Sequence, residues 1–300
     1  MRWGDFRKSE NVEDRGAGGG MPTGGFGGGG MKIGGGAMVL LVIVGLLFGV
    51  NPLDMIGGGG GGLPMQTQPQ SAPPGYGPQQ TTSAAAAKDP AKEFAARVLG
   101  DTEDVWSAVF KTMGARYDPP KLVLFSGVVR SACGNASAAV GPFYCSADKD
   151  VYLDTAFFEI LSQRFRAPGD FAAAYVIAHE VGHHIQNITG VMRQFDEQSR
   201  RADPRTRNAL SVRLELQADC YAGVWGHFAQ RRNLLEAGDL EEGLRAASAV
   251  GDDMIQKQAQ GYVAPDSFTH GSAEQRRHWF KVGFDTGDLR NCNTFATRSP

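Results

Sequence analysis

Two histidines one helical turn apart, with a glutamate beside the first, constrain this chain more than any other feature. His179, Glu180 and His183 form the pattern HExxH within a helix-compatible run at residues 171–188. In a helix, residues four apart differ by about 40° around the axis, so both imidazoles leave one face. They can share a tetrahedral Zn²⁺, and the Glu180 carboxylate can reach a water on that metal. His184 points about 100° away, so we expect it to support the site or face solvent.

A catalytic zinc site needs a third protein ligand, and a later helix offers one. Glu215 and Asp219 are four residues apart in a helix predicted at residues 206–232, so both can face one site. We expect Glu215 to bind the metal and Asp219 to accept the other ring N–H of a ligating histidine. A pair of solvated acids is the alternative, which the apolar neighbours of Glu215 disfavour. The rival third ligands are His227, His270 and His278, of which His270 is the best placed.

Composition predicts that the first third of the chain does not fold. Glycine is concentrated in residues 16–62, and Pro, Gln, Gly and Ser dominate residues 63–80. Neither segment can bury enough apolar surface to offset the entropy lost on ordering. Residues 88–300 remain, enough for one core, and we predict a mostly helical α+β domain there with a small β-sheet. The formal net charge of −2 argues against nucleic acid as a partner.

Residues 33–50 are uncharged and apolar, at the lower length limit of a membrane span. A signal peptide is disfavoured because its apolar run lies nearer the start, and a core helix because the flanks are glycine-rich. We therefore predict a transmembrane anchor, with residues 1–32 as a cytoplasmic Gly-rich tail and residues 51–87 as a flexible linker. Five basic residues precede the span and none follows before Lys88. The positive-inside rule thus places the N-terminus in the cytoplasm and the body outside the inner membrane.

Caps, breakers and periodicity predict the elements of the body. Helices are expected at residues 89–99, 102–114, 155–166, 171–188, 206–232, 239–260 and 272–284. Strands are expected at residues 121–125, 143–145 and 150–154, with loops at residues 131–141 and 187–204.

The four cysteines are not in CxxC spacing, which argues against a cysteine-rich zinc knuckle. In the cytosol they would be buried thiols, whereas an exported domain favours two disulfides. With the body outside, we predict Cys133–Cys145, which are close in sequence across a glycine-containing loop. Cys220–Cys292 then follows by elimination.

Several stretches together resemble the bacterial family of putative neutral zinc metallopeptidases. They are residues 1–3, 9–15, 33–50, 133–134, 141–145, 151–154, 179–186, 215–225, 270–272 and 275–276. HExxH followed by ExxxD on a later helix is also the gluzincin pattern. The resemblance covers nearly the whole chain outside the low-complexity parts. It implies a zincin-like metallopeptidase fold, with His179, His183 and Glu215 as zinc ligands and Glu180 as the catalytic base.

The implied reaction is peptide hydrolysis on a peptide or protein substrate. Glu180 would take a proton from the zinc-activated water and pass it to the leaving amine. An oxyanion donor is also needed, and His270 is the first choice, ahead of Tyr262 and Tyr221. The strand at residues 151–154 would align the substrate by edge pairing, unless it is an ordinary sheet strand.

Two other functions remain open on the sequence. One is a non-proteolytic zinc module that binds envelope proteins, and the other is a metal-free structural protein. The intact Glu180 favours catalysis, because a structural zinc site has no need of a base beside the metal.

Overall fold

The computed structural model describes residues 1–17, 89–137, 141–297 and 300. The helices of this part are α1 (Pro90–Thr112), α2 (Phe157–Gln163), α3 (Asp170–Ile188), α4 (Val191–Ser199), α5 (Pro204–Arg231), α6 (Asp239–Ala249), α7 (Asp252–Gln260) and α8 (Ala273–Thr286). The strands are β1 (Val12–Ala17), β2 (Leu122–Ser126), β3 (Val128–Ser131), β4 (Gly134–Ser137), β5 (Phe143–Cys145) and β6 (Asp150–Asp154). Short 3₁₀ helices cover Trp3–Asp5, Pro265–Ser267 and Leu289–Cys292. The predicted class, mostly helical α+β with a small sheet, is confirmed for these residues.

Side-chain caps start α1 and α8 where the sequence predicted them, whereas α3 and α6 begin after Gly169 and Gly238 without a side-chain cap. The Asp89 side chain accepts the Ala91 N–H at the start of α1, and Ser272 and Gln275 form a capping box at the start of α8. Three boundaries were predicted wrongly. The first two helices are one, α1; the helix expected at residues 239–260 breaks into α6 and α7; and α4 lies within an expected loop.

The main sheet has four strands in the order β1-β2-β6-β5. Strands β1, β2 and β6 are parallel, and β5 runs antiparallel to β6. Of the two interpretations left open for residues 151–154, the ordinary sheet strand is confirmed and edge pairing with substrate is wrong, because β6 is an inner strand with a neighbour on each side. Among the strands that the structure describes, β1 and β5 lie at the edges of this sheet. Strands β3 and β4 form a separate hairpin that overlaps the loop expected at residues 131–141.

Residues 1–17 are part of the folded body, which corrects the prediction that the first third does not fold. Strand β1 adds to β2, and Phe6 is only 3% exposed. The backbone of Arg7 crosses α1 at Gly100, where a Cβ would lie 2.1 Å from the Arg7 carbonyl oxygen. Beside it, Glu103 accepts hydrogen bonds from Arg7, Ser9 and Asn11.

This packing also corrects the predicted topology. A strand and the sheet that it extends must lie on the same side of a membrane, so residues 1–17 cannot be cytoplasmic while the body is external. The structure does not describe residues 18–88. The predicted end of the tail at residue 32, the anchor at residues 33–50 and the linker at residues 51–87 all lie within that range. Within the described part, no helix is long and apolar enough to span a bilayer.

Close helix contacts bring α3, α5 and α8 together in the core. A Cβ on Gly182 of α3 would lie 2.9 Å from the Ala218 carbonyl oxygen of α5. One on Gly283 of α8 would lie 1.9 Å from the Cys220 carbonyl oxygen of α5. Larger residues at either position would force the helices apart. Because Gly182 lies inside the HExxH pattern, this contact sets how near α5 comes to the two histidines.

Both predicted disulfides are present. Cys133 bridges to Cys145, and Cys220 on α5 bridges to Cys292 in the last 3₁₀ helix. No described cysteine is free. Two disulfides are typical of a domain that lies outside the cytoplasm.

Candidate metal centre

Three predicted ligands converge in the core between α3 and α5. His179, His183 and Glu215 each offer one donor atom, and these atoms lie within 4.8 Å of one another. All three residues are less than 9% exposed. The Glu215 carboxylate reaches both rings, with its oxygens 3.2 Å from His179 Nε2 and 3.4 Å from His183 Nε2. The helical phase predicted from the sequence therefore places the three side chains together.

Hydrogen bonds to the other ring nitrogens orient both imidazoles. Asp219 lies 2.9 Å from His179 Nδ1, and the Gln186 side-chain oxygen lies 2.9 Å from His183 Nδ1. Both partners accept, so each histidine donates through Nδ1 and keeps the lone pair of Nε2 for the cluster. Asp219 thus stands in the predicted supporting position, whereas Gln186 was not predicted.

Asp219 is the centre of a buried polar network. Besides His179, it accepts a hydrogen bond of 2.5 Å from the Tyr175 hydroxyl and bonds of 2.8 and 2.9 Å from Arg276. Asp219 is fully buried and Arg276 is 3% exposed, so this ion pair is shielded from water. The guanidinium holds the carboxylate that in turn holds the His179 ring.

The charges of this cluster act on one another strongly. Burial lowers the pKa of His179, but Asp219 and Glu215 outweigh that effect and raise it to about 9. Burial also lowers the pKa of His183, but the charge of Glu215 outweighs this effect, so the pKa of His183 is raised. Burial raises the pKa of Glu215, yet the neighbouring His183 and His270 bring it well below its usual range. The site therefore stabilises positive charge between the rings, whether carried by protons or by a metal ion.

Glu180 lies beside the ligands without joining them. It is 5% exposed, and its Oε2 is buried with no hydrogen-bond partner among the described residues. Burial raises the pKa of this carboxyl group, and the two histidines partly oppose that rise. An unpaired buried carboxylate is costly, so its retention points to a chemical role.

His270 is the one nominated oxyanion donor that the structure places close to a ligand. It is 5% exposed, and its charge acts on Glu215. Its Nδ1 lies 3.0 Å from the Thr269 hydroxyl and 3.4 Å from Asp252 Oδ1. Asp252 also accepts the His270 backbone N–H, which fixes the loop. Both side-chain contacts are made by Nδ1, so they orient the ring without engaging Nε2.

The other candidates are positioned differently. His227 Nδ1 bonds the Phe284 carbonyl, His278 is exposed, and Tyr262 is 64% exposed. Tyr221 packs edge-on against Trp106 in the core. His184 is buried rather than exposed, held by the Tyr144 hydroxyl and the Asp118 carbonyl.

Besides Gln186, the sequence analysis missed three residues that organise the site, Tyr175, Arg276 and Asp252. Tyr175 could have been found, because it precedes His179 by four residues and so shares its helical face. Arg276 and Asp252 carry no such signal, since each reaches the site from a separate helix.

The donor set fits a zinc ion. Two imidazole nitrogens and one carboxylate are the protein ligands of a His₂Glu catalytic zinc site. His183 Nε2 is buried and faces a carboxylate oxygen of Glu215, the third member of the donor set, at 3.4 Å, as a nitrogen in a shared metal site would. A helical domain with this donor set and a separate glutamate at its side defines the zinc metallopeptidase class.

Comparison with known proteins agrees with this class. The chain belongs to the family described as Putative neutral zinc metallopeptidase, whose model matches residues 1–295. It is 46% identical to the Uncharacterized protein YpfJ of Escherichia coli strain K12 over 296 residues, 99% of each chain. It is 42% identical to the Uncharacterized protein Rv2575 of Mycobacterium tuberculosis over 262 residues, 84% of this chain and 85% of the relative. No solved structure matches the chain.

Proposed function

We propose that this protein is a zinc-dependent endopeptidase in which His179, His183 and Glu215 hold the metal. The observation that carries the proposal is the buried three-donor cluster with Glu180 beside it, whose Oε2 has no hydrogen-bond partner among the described residues. When bound, Zn²⁺ would lower the pKa of a water and polarise the peptide carbonyl.

The side chains then have separate tasks. Glu180 takes a proton from the attacking water and delivers it to the leaving amine. His270 accepts the Thr269 hydroxyl at Nδ1 and donates its Nε2–H to the oxygen on which negative charge develops. Asp219 and Gln186 keep the two ligand rings in register. The substrate is a peptide or a protein segment.

Metal content and hydrolysis test this proposal together. We expect about one zinc per purified wild-type chain and cleavage of an unfolded-protein or peptide library. Glu215→Ala should lose most of the zinc, whereas His270→Ala should keep it and lose activity. If Glu215→Ala keeps stoichiometric zinc and His270→Ala loses it, then His270, and not Glu215, is the third zinc ligand. Stoichiometric zinc with no cleavage of any library would favour a non-proteolytic binding module.

We also propose that the whole folded unit, residues 1–17 included, lies outside the bacterial inner membrane and that residues 33–50 attach it to the bilayer. The disulfides support the external location, and the β1–β2 pairing keeps residues 1–17 with the body. No nucleic acid is expected as a partner.

Epitope accessibility tests this location. One epitope is inserted in the glycine-rich residues after β1 and another at the C-terminus, and intact Escherichia coli spheroplasts are probed with antibody. Both epitopes should be accessible. Protection of the first epitope alone would show that residues 1–17 are not docked in the cell, and protection of both would place the body in the cytoplasm.

A further inference from the structure

A cavity of about 750 Å³ lies between α6, α7, α8 and the loop that follows α2. Five cationic side chains line it, with Glu241 as the one carboxylate among the lining residues. They are Arg164, Arg166, Arg245, Lys257 and Arg277. This concentration of positive charge stands out in a chain whose formal net charge is −2. The volume falls within the range of small-molecule sites, which is about 300–1,000 Å³.

Most of these cations have no counter-ion of their own. Arg166, Lys257 and Arg277 are exposed and make no hydrogen bond or ion pair within the described part of the chain, whereas the charge of Arg245 acts on the Glu242 carboxylate. Unpaired cations around a concave surface raise the local potential and attract an anion.

The cavity also has an apolar lining. Phe165, Leu244, Ala249 and Met254 contribute to it, and Met254 is 50% exposed. A simple inorganic anion would leave these side chains in water. The combination of apolar lining and cations suits a ligand that carries both a hydrocarbon portion and a negative charge.

The backbone at Arg166 is unusual. Its φ of 52° is in the left-handed region, which residues other than glycine seldom adopt. Such conformations persist where the surrounding structure holds them, and they cluster at ligand sites. Here the conformation brings both Arg164 and Arg166 to the lining of one cavity.

We propose that this cavity binds an anionic phospholipid, with the phosphate on the guanidinium groups and an acyl chain on the apolar lining. Arginine forks match phosphate oxygens in pairs, which favours phosphate over a simple carboxylate. A soluble phosphate ester offers the same charge but nothing to cover Met254. The apolar run at residues 33–50, if it attaches the protein to a bilayer, would also keep the cavity near lipid.

Titration of the full-length protein in neutral detergent tests the proposal. The probes are dihexanoyl phosphatidylglycerol, dihexanoyl phosphatidylcholine and glycerol 3-phosphate, with binding followed by calorimetry. We expect saturable binding of the first, roughly tenfold or more tighter than of the other two. Equal binding of the two lipids, or tighter binding of glycerol 3-phosphate, would overturn the proposal.

Two triple variants, each of which removes three positive charges, test whether the lipid binds in this cavity. The triple variant Arg166→Gln, Arg245→Gln, Arg277→Gln should weaken phosphatidylglycerol binding by about tenfold or more. The control Lys111→Gln, Arg116→Gln, Arg231→Gln removes three exposed cations elsewhere and should not. Met254→Gln, which removes the apolar surface without adding charge, should weaken lipid binding but leave glycerol 3-phosphate binding unchanged. All these positions are exposed, so unchanged melting temperatures are expected, and an equal loss in both triple variants would reject a specific site.

Discussion

Two buried glutamates on different helices illustrate two uses of the same side chain. Glu103 on α1 is 6% exposed, and its oxygens accept hydrogen bonds of 2.6, 2.6 and 2.8 Å from Arg7, Ser9 and Asn11. Glu180 on α3 is 5% exposed, and one of its oxygens has no partner among the described residues. Burial alone does not distinguish these two carboxylates, whereas the state of their hydrogen bonds does.

The two sites also differ in what their neighbours do. The partners of Glu103 all come from residues 7–11, so that carboxylate fastens the N-terminal segment to α1. The neighbours of Glu180 are two imidazoles whose Nδ1 atoms are already engaged by Asp219 and Gln186. Loss of Glu103 should therefore cost stability, and loss of Glu180 should cost chemistry.

The largest expected effect is the loss of activity in Glu180→Gln. The amide cannot accept the proton from water, so hydrolysis should fall by about 10²–10⁴-fold or more. Zinc content and melting temperature should match the wild type, because Glu180 does not contact the metal position and its Oε2 has no partner to lose. Peptide cleavage, metal analysis and a thermal melt on one preparation measure all three.

Glu197→Gln provides the control, since Glu197 is an exposed residue on the neighbouring α4. Activity within about tenfold of the wild type in Glu180→Gln would exclude the general-base role.

The next largest effect is expected for Asp219→Asn. The amide no longer gives His179 and Arg276 a charged acceptor, so zinc affinity should weaken by about 10–100-fold. Competition with a fluorescent chelator measures the affinity, and Asp285→Asn on the exposed end of α8 is the control. Unchanged affinity would show that His179 does not depend on Asp219 for its orientation.

Glu103→Ala should have its effect on stability alone. Removal of three hydrogen bonds to a buried charge is expected to cost about 2 kcal/mol, which would lower the melting temperature by about 4–8 °C in a domain of this size. Zinc bound per folded chain should not change. Asp104→Asn removes the exposed partner of Arg7 and should cost less than about 0.5 kcal/mol.

Equal melting curves for Glu103→Ala and Asp104→Asn would mean that residues 7–11 do not hold the N-terminal segment to α1. Glu103 would then have no demonstrated structural role to set against the chemical role of Glu180.

The metal centre was largely predictable because its signals are local. His179, His183, Glu215 and Asp219 share faces of two helices, and helical periodicity is a short-range property. The cysteine pairing followed from four residues with few possible connectivities.

The failures have a common physical cause, which is contact between distant segments. Strand β1 is short and lies in a polar stretch near the start of the chain. Nothing in its sequence indicates that its partner is β2, more than a hundred residues later. Arg276 and Asp252 likewise act through tertiary packing. The order of the strands, and so the inner place of β6, depends on the same long-range pairing.

The smallest expected effect, in Gln186→Ala, concerns the neutral counterpart of Asp219. Gln186 accepts from His183 Nδ1, while its amide donates to the Leu214 carbonyl and the Gln217 side chain. Gln217 in turn donates to the Cys292 carbonyl, so the chain of bonds ends at the Cys220–Cys292 disulfide. Because an amide oxygen orients an imidazole less strongly than a carboxylate does, zinc affinity should weaken by only about 3–10-fold.

The same chelator competition measures Gln186→Ala, with the exposed Gln194→Ala as the matched control. A loss as large as that of Asp219→Asn would mean that His183, rather than His179, is the ligand whose orientation limits metal binding. The charged network around Arg276 would then serve mainly to hold α8 against α5. A loss no larger than that of the control would show that packing of α3 alone orients His183.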